Sequence, residues 1–283
     1  MRIRQSGFEE RRKLRLSACQ RSMFIDVHAH LVGDEYDEIG GVAGLLAEMK
    51  ANGVRRVIAS GFDAVTSEQS KELAERFEEI YFCAGFHPSE LGRFQEGDFE
   101  KIRQLAMHEK CVAVGEIGLD YHFENNPPKE TQRAAFIRQL EIADELGLPV
   151  VLHSRDAAEE TYELLCQNKR LLRHGGLMHC YSYSPEMLER FLELGLSFSF
   201  GGPCTFKNAK KAVASVERVP ATRILSETDC PYLTPVPFRG EFPNQPKNVK
   251  FVVEKFAEIR GVAVEEMAKQ IEENAKALFK KLG

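Results

Sequence analysis

From Met23 onward, short runs of apolar residues alternate with longer stretches in which apolar residues recur every three or four positions. The short runs are Phe24–His28, Arg56–Ser60, Tyr81–Phe86, Cys111–Glu116, Pro149–His153, Gly176–His179, Leu196–Phe200 and Arg223–Glu227. Each is nearly continuously apolar rather than alternating in polarity, which is the pattern of parallel strands covered on both faces. The longer stretches have helical spacing. Thr66–Glu79 carries Leu73, Ala74 and Phe77 on one face, and Lys129–Leu146 carries a broad apolar stripe that stops at Gly147. Ser184–Leu194 begins Ser-Pro-Glu, a cap followed by proline at the first helical position, and Gly195 ends it. Val264–Leu282 reads as a long amphipathic helix. Eight strands alternating with helices predict a parallel α/β fold, read here as a single-domain TIM-type (β/α)8 barrel over residues 23–283. The alternative, a doubly wound open sheet, would ordinarily carry a glycine-rich phosphate loop after the first strand. Here that strand runs into His28-Ala29-His30 instead.

Polar residues that can bind metal fall at one kind of place in this pattern. His28 and His30 end the first predicted strand, His87 follows the third and Glu116 ends the fourth. His153 ends the fifth, His179 the sixth, and Asp229 follows the eighth. In a closed parallel barrel these strand ends converge on one rim, where catalysis takes place in this fold. Residues i and i+2 of an extended segment point the same way, so His28 and His30 can reach one ion. His28, His30, Glu116, His153, His179 and Asp229, six such groups on one rim, would be costly to desolvate unless they ligate something. Four imidazoles and two carboxylates exceed the needs of one tetrahedral ion and suit two ions bridged by Glu116, with positions left for water and substrate. Mixed nitrogen and oxygen ligation suits Zn²⁺, Mn²⁺, Fe²⁺ or Mg²⁺. His108, His122 and His174 lie outside the set.

The charge balance narrows the substrate. A formal net charge of −5 gives no basic stripe to wrap a duplex. Two bound cations would offset most of that charge, however, and the field inside a cleft matters more than the sum. If the substrate is nucleic acid, contact with a few phosphates rather than a wide grip is expected. Residues 1–22 are basic yet lack the apolar core of a secretory signal, and Glu9 and Glu10 count against a presequence. They are expected to form a disordered extension. The seven cysteines include no CxxC pair and are expected to be free thiols in a reducing cytoplasm, with no membrane span. Cys180 and Cys230 adjoin His179 and Asp229, and strand alternation predicts that both turn away from the rim into packing.

The segments Phe24-Ile-Asp-Val-His-Ala-His30, Gly85-Phe-His-Pro88, Gly115-Glu-Ile-Gly-Leu-Asp-Tyr121, His153-Ser-Arg-Asp-Ala157 and Glu227-Thr-Asp-Cys-Pro-Tyr-Leu233 resemble the TatD family of metal-dependent deoxyribonucleases. The resemblance runs in order over nearly the whole chain outside the basic extension. It implies that His28, His30 and Asp229 hold a first metal, that His153 and His179 hold a second, and that Glu116 bridges them. It also implies that His87 sits beside the metals and meets substrate phosphate. The wider amidohydrolase group, which this family is similar to, often bridges its metals with a modified lysine, whereas here the fourth strand ends in Glu116. The expected reaction is attack on a DNA phosphodiester, at single strands or ends, by water that Asp229 helps to deprotonate. Arg155, Arg239 and Asn244 are candidate substrate contacts, and Tyr121, Phe123, Tyr181, Tyr183 and Phe238 could stack on an unpaired base. Hydrolysis of an amide, lactone or small phosphoester on the same centre is the second reading. A metal-binding scaffold without turnover is the third.

Overall fold

Eight parallel strands hydrogen-bond in chain order: β1 Phe24–Ala29, β2 Val54–Ser60, β3 Ile80–Ala84, β4 Cys111–Asp120, β5 Val150–Arg155, β6 Gly176–Met178, β7 Ser197–Phe200 and β8 Ile224–Ser226. This is a computed structural model, and it describes residues 24–95 and 97–282. The disordered state expected of residues 1–22 lies outside the described residues. Helices on the outside return the chain from each strand to the next, as a right-handed parallel crossover requires. The strands are buried along nearly their full length, and Val27, Val57, Ile58, Ile80, Phe82, Val114, Leu152 and Phe198 form the wall between barrel interior and helices. That double burial is why the strands read as continuous apolar runs.

The sheet curls into a nearly closed barrel whose seam lies between β8 and β1. Ser226 Oγ donates to the Ile25 carbonyl (3.0 Å), and the Thr228 amide and hydroxyl both donate to the buried Asp26 carboxylate. Beyond β8 the backbone continues the seam: Asp229 N–H donates to His28 O (3.0 Å) and His30 N–H to Cys230 O (2.7 Å). The closure thus sets His28, His30 and Asp229 side by side.

Element ends differ from the sequence reading where polar residues are buried. β4 does not stop at Glu116 but runs on to Asp120, buried throughout. Gly118 permits this: its φ of +148° suits glycine, and a Cβ there would stand 1.9 Å from the His153 carbonyl of β5. The helix expected over Thr66–Glu79 is Ala64–Arg76, because Asp63 rather than Thr66 is its cap. Asp63 accepts from Thr66 N–H while Thr66 Oγ1 accepts from Asp63 N–H, a reciprocal box that starts the helix early. The helices Lys129–Leu146 and Pro185–Glu193 lie where the spacing placed them, with Gly147 and Gly195 at positive φ after them.

Candidate metal centre

At the C-terminal ends of the strands lies a cleft of about 570 Å³ whose lining includes His30, His87, Glu116, His153, His179 and Asp229. Glu116 stands at its middle, reached by five imidazoles from four directions. Its Oε2 faces His28 Nε2 (3.3 Å) and His30 Nε2 (3.7 Å). Its Oε1 faces His179 Nε2 (2.7 Å), His153 Nδ1 (2.8 Å) and His87 Nε2 (3.5 Å). Asp229 Oδ1 closes the first group, 3.4 Å from His30 Nε2 and 3.6 Å from His28 Nε2. The two oxygens of one buried carboxylate therefore look at two separate donor sets.

Each imidazole is aimed by what holds its far side. The His30 Nδ1–H donates to the Ser60 carbonyl (3.0 Å), leaving Nε2 as a lone pair toward the cleft. His28 Nδ1 pairs with Ser60 Oγ (3.0 Å), and its ring stacks on His179 with centroids 3.9 Å apart. His87 is oriented the opposite way. Its Nδ1 accepts from the Ser89 amide (3.2 Å), so in the neutral ring Nε2 carries the proton and is a donor to the cleft, unsuited to ligation.

Two acidic residues behind the rim escaped the sequence reading. Asp120 Oδ2 lies 3.1 Å from His153 Nε2, and Glu227 Oε1 lies 3.7 Å from His179 Nδ1 in complete burial. Ser199 Oγ donates to the other Glu227 oxygen at 2.5 Å. Both carboxylates occur inside the quoted motifs, so the signal was present, but only the barrel shows that they back β5 and β6 histidines. Without metal, burial would push the Glu116 carboxyl up, yet the charges of His179, His87 and His28 and the bond from His153 hold it well below the ordinary range. Burial pulls His153 and His179 down, but Asp120, Glu116 and Glu227 outweigh it and both end above the usual imidazole value. Burial, with the charge of His153, sends His87 down to about 3. The centre is one in which proton and cation compete for the same lone pairs.

A cation fits this donor set on the structure's own evidence. His28 Nε2, which faces Glu116 Oε2, is buried with no hydrogen-bond partner, a state proteins rarely leave uncompensated. His28, His30 and Glu116 could hold one ion, and Glu116, His153 and His179 another, since in each group the donor atoms lie within 4.8 Å of one another.

The remaining expected site residues divide. Arg155 lines the cleft and stacks over Phe123, itself exposed there (5.2 Å). Asn244, expected at the substrate, is fully buried. Its amide donates to the Thr228 and Tyr232 carbonyls (3.2 and 2.7 Å) and its oxygen accepts from Gln245 N–H and Asn248, so it folds the loop after β8 instead. Arg239 lies on a neighbouring cavity and covers Phe206 at 4.1 Å. Of the proposed stacking rings, Tyr181 is buried with its hydroxyl on the Ser184 carbonyl, and Tyr183 is tied to Ser154. Tyr121 lies under Lys129, and Phe238 packs on Phe251. Phe62 and Tyr232, which periodicity did not single out, line the cleft. Cys230 is buried as expected. Cys180 is not turned away: it lines the cleft, because at φ +45° it has left the extended conformation that strand alternation assumes.

A parallel barrel whose rim gathers histidines around a shared carboxylate defines a metal-dependent hydrolase. Comparison with known proteins narrows the class. The family described as "TatD related DNase" matches residues 25–280. The chain is 41% identical over 258 residues to YabD, an uncharacterised metal-dependent hydrolase of Bacillus subtilis (strain 168), covering 91% of this chain and 99% of that protein. It is 31% identical over 231 residues to the 3'-5' ssDNA/RNA exonuclease TatD of Shigella flexneri serotype 5b (strain 8401), covering 80% and 88%. The crystal structure of YjjV, a TatD homologue from Escherichia coli K12, superposes with a TM-score of 0.82 at 32% identity, covering 93% of this chain and 98% of that one. The chain belongs to the TatD family of metal-dependent hydrolases. Among the described residues no helix is long and apolar enough to cross a membrane.

Proposed function

We propose that the chain is a deoxyribonuclease that hydrolyses phosphodiester bonds of single-stranded DNA or DNA ends at a centre of two divalent ions. The observation that carries this reading is the division of Glu116 between two donor sets, Oε2 toward His28 and His30 and Oε1 toward His153 and His179. In this reading His28, His30 and Asp229 hold the first ion, His153 and His179 the second, and Glu116 bridges. Zinc, magnesium or manganese bound there supplies the positive charge that polarises a phosphoryl oxygen and makes water nucleophilic near neutral pH.

The chain's own groups supply position and proton traffic. Asp229 Oδ1 faces the two imidazoles, which leaves Oδ2 to take the proton of the attacking water. His87 donates from Nε2 to a non-bridging phosphate oxygen, its tautomer fixed by Ser89. The Arg155 guanidinium, on the same cleft, adds a charge-assisted contact to phosphate. The nucleic-acid substrate is supported by the exonuclease name of the Shigella relative. Among the described residues six cysteines are free, four of them buried, which supports a reducing compartment, and we infer a cytoplasmic location.

The test is turnover of the metal-loaded chain on a single-stranded oligodeoxynucleotide, the matching oligoribonucleotide, and a panel of small amides, lactones and phosphoesters. Release of nucleotides at a kcat/KM well above that of every small ester is expected. Preference for an amide or lactone would sink the nuclease reading while leaving the metal centre intact.

A further inference from the structure

Beside the metal cleft opens a second cavity of about 610 Å³, and the two share Cys180 and Ser182 on their walls. The second cavity contains none of the proposed metal ligands. Its floor is aromatic: Tyr181 and Phe200 are buried beneath it, and Phe206 stands at its side with the Arg239 guanidinium 4.1 Å from the ring centroid. Its rim is cationic, with Lys210 and Lys211 from the first turn of the helix Lys210–Arg218 and Arg239 from the loop after β8. No aspartate or glutamate lines it.

Several other surface cations are ion-paired. Arg190 pairs with Glu159, Arg218 with Glu186, Lys101 with Glu68 and Lys247 with Glu48. Lys210, Lys211 and Arg239, which line the cavity, have no carboxylate partner among the described residues. In a chain of net charge −5, three cations without an ion-pair partner at one cavity make a local positive field. A cation over an aromatic ring with two further cations beside it, in a cavity that shares a wall with the metal cleft, is what a flexible polyanion with flat, stackable bases requires.

We propose that this cavity is a binding subsite for the single-stranded nucleic acid flanking the scissile phosphate. Lys210, Lys211 and Arg239 hold its backbone phosphates, and Phe206 meets a base. Cys180 and Ser182 form the sill over which the strand passes to the metal centre. The inference rests on the nucleic-acid reading for its substrate, yet binding can be measured apart from hydrolysis.

The experiment uses the full chain with its metals, a fluorescein-labelled phosphorothioate octanucleotide to read binding, and the phosphodiester octanucleotide to read turnover. Bis(4-nitrophenyl) phosphate, too small to reach beyond the metal cleft, serves as the comparison substrate. The double variant Lys210→Ala/Lys211→Ala should bind the octanucleotide about tenfold more weakly. Its dependence of log Kd on log salt should be shallower by about 1.4, the release expected for two lost phosphate contacts on a single strand. Arg239→Ala should weaken binding in the same direction. KM for the octanucleotide should rise at least fivefold more than KM for bis(4-nitrophenyl) phosphate, and Lys210→Arg/Lys211→Arg should restore it. Weaker binding in the variants with a wild-type chain that binds but does not cleave the octanucleotide supports the subsite and overturns the nuclease activity. Unchanged binding and salt slope, equal loss on both substrates, or no binding by the wild-type chain overturns the subsite.

Discussion

The two halves of the rim solve the same problem with different chemistry. On the β1–β8 side, His28 and His30 are held from behind by neutral groups, the hydroxyl and carbonyl of Ser60, and the barrel seam fixes their backbone. On the β5–β6 side, His153 and His179 are backed by carboxylates, Asp120 at 3.1 Å and Glu227 at 3.7 Å. A carboxylate behind an imidazole raises the basicity of the ring and strengthens it as a ligand, but it also strengthens its hold on a proton. The first half is therefore built for rigidity. In the proposed two-ion centre the second would hold its cation tightly at the cost of sensitivity to pH.

The strongest way to break this comparison is at the group both halves share. Glu116→Ala should abolish turnover, by about a thousandfold or more, and lower occupancy of both ions, since a bridging carboxylate offsets part of their mutual repulsion. His153→Ala should instead deplete mainly the second ion, and His28→Ala the first. Metal content by elemental analysis, alongside circular dichroism, separates these outcomes. Two ions per chain and normal turnover in Glu116→Ala would remove the bridge from the mechanism.

Next in size are the carboxylates behind the second half. Asp120→Asn and Glu227→Gln keep shape and remove charge, and each should cost about 10–100-fold in affinity for the second ion. Ser60→Ala, which removes only a neutral hydroxyl partner of His28, should cost less at the first. Equal losses on the two sides, read by competition with a chromophoric chelator, would erase the distinction drawn between them.

The pH dependence should show the same asymmetry more gently. In the metal-free chain His153 and His179 both titrate above the usual 6.5, despite burial, because Asp120, Glu116 and Glu227 favour their charged forms. An ion entering their half must displace those protons, so its binding is full above the raised values and weakens as pH falls through them. In the other half burial holds His28 below 6.5, while Asp229 and Glu116 raise His30 against burial. Only one proton competes there, and the second ion should leave first as pH is lowered. Simultaneous loss of both ions in a metal titration would contradict this order.

The smallest effects are expected at the two cysteines beside the ligands. Cys180→Ser and Cys230→Ser should each leave metal content unchanged, for different reasons. Cys230 is buried away from the cleft, and the Cys180 thiol, though on the cleft wall, is raised well above its ordinary value by burial and by Glu227, so it stays protonated. Loss of an ion in Cys180→Ser would make the thiol a ligand.

Much of this centre was legible in the chain because its logic is periodic. Parallel strands covered on both faces must be apolar runs, so eight such runs between helices define a barrel. A histidine or carboxylate at the end of such a run is then placed on the rim by topology alone. Those two facts locate His28, His30, His87, Glu116, His153, His179 and Asp229 without coordinates. What the sequence could not determine depends on directions beyond the strand ends, where period two no longer holds. Asp229 and Cys180 sit at φ +54° and +45°, so a rule of alternating faces assigned Cys180 to the wrong side. β4 outran Glu116 because a buried carboxylate looks, in one dimension, like the end of a buried strand. Asn244 looked like a free amide in a polar loop until its partners at Thr228, Tyr232 and Asn248 came together. Asp120 behind His153, Glu227 behind His179 and the unpaired cations of the second cavity are likewise relations between distant segments. They exist only where closure of the barrel brings those segments together.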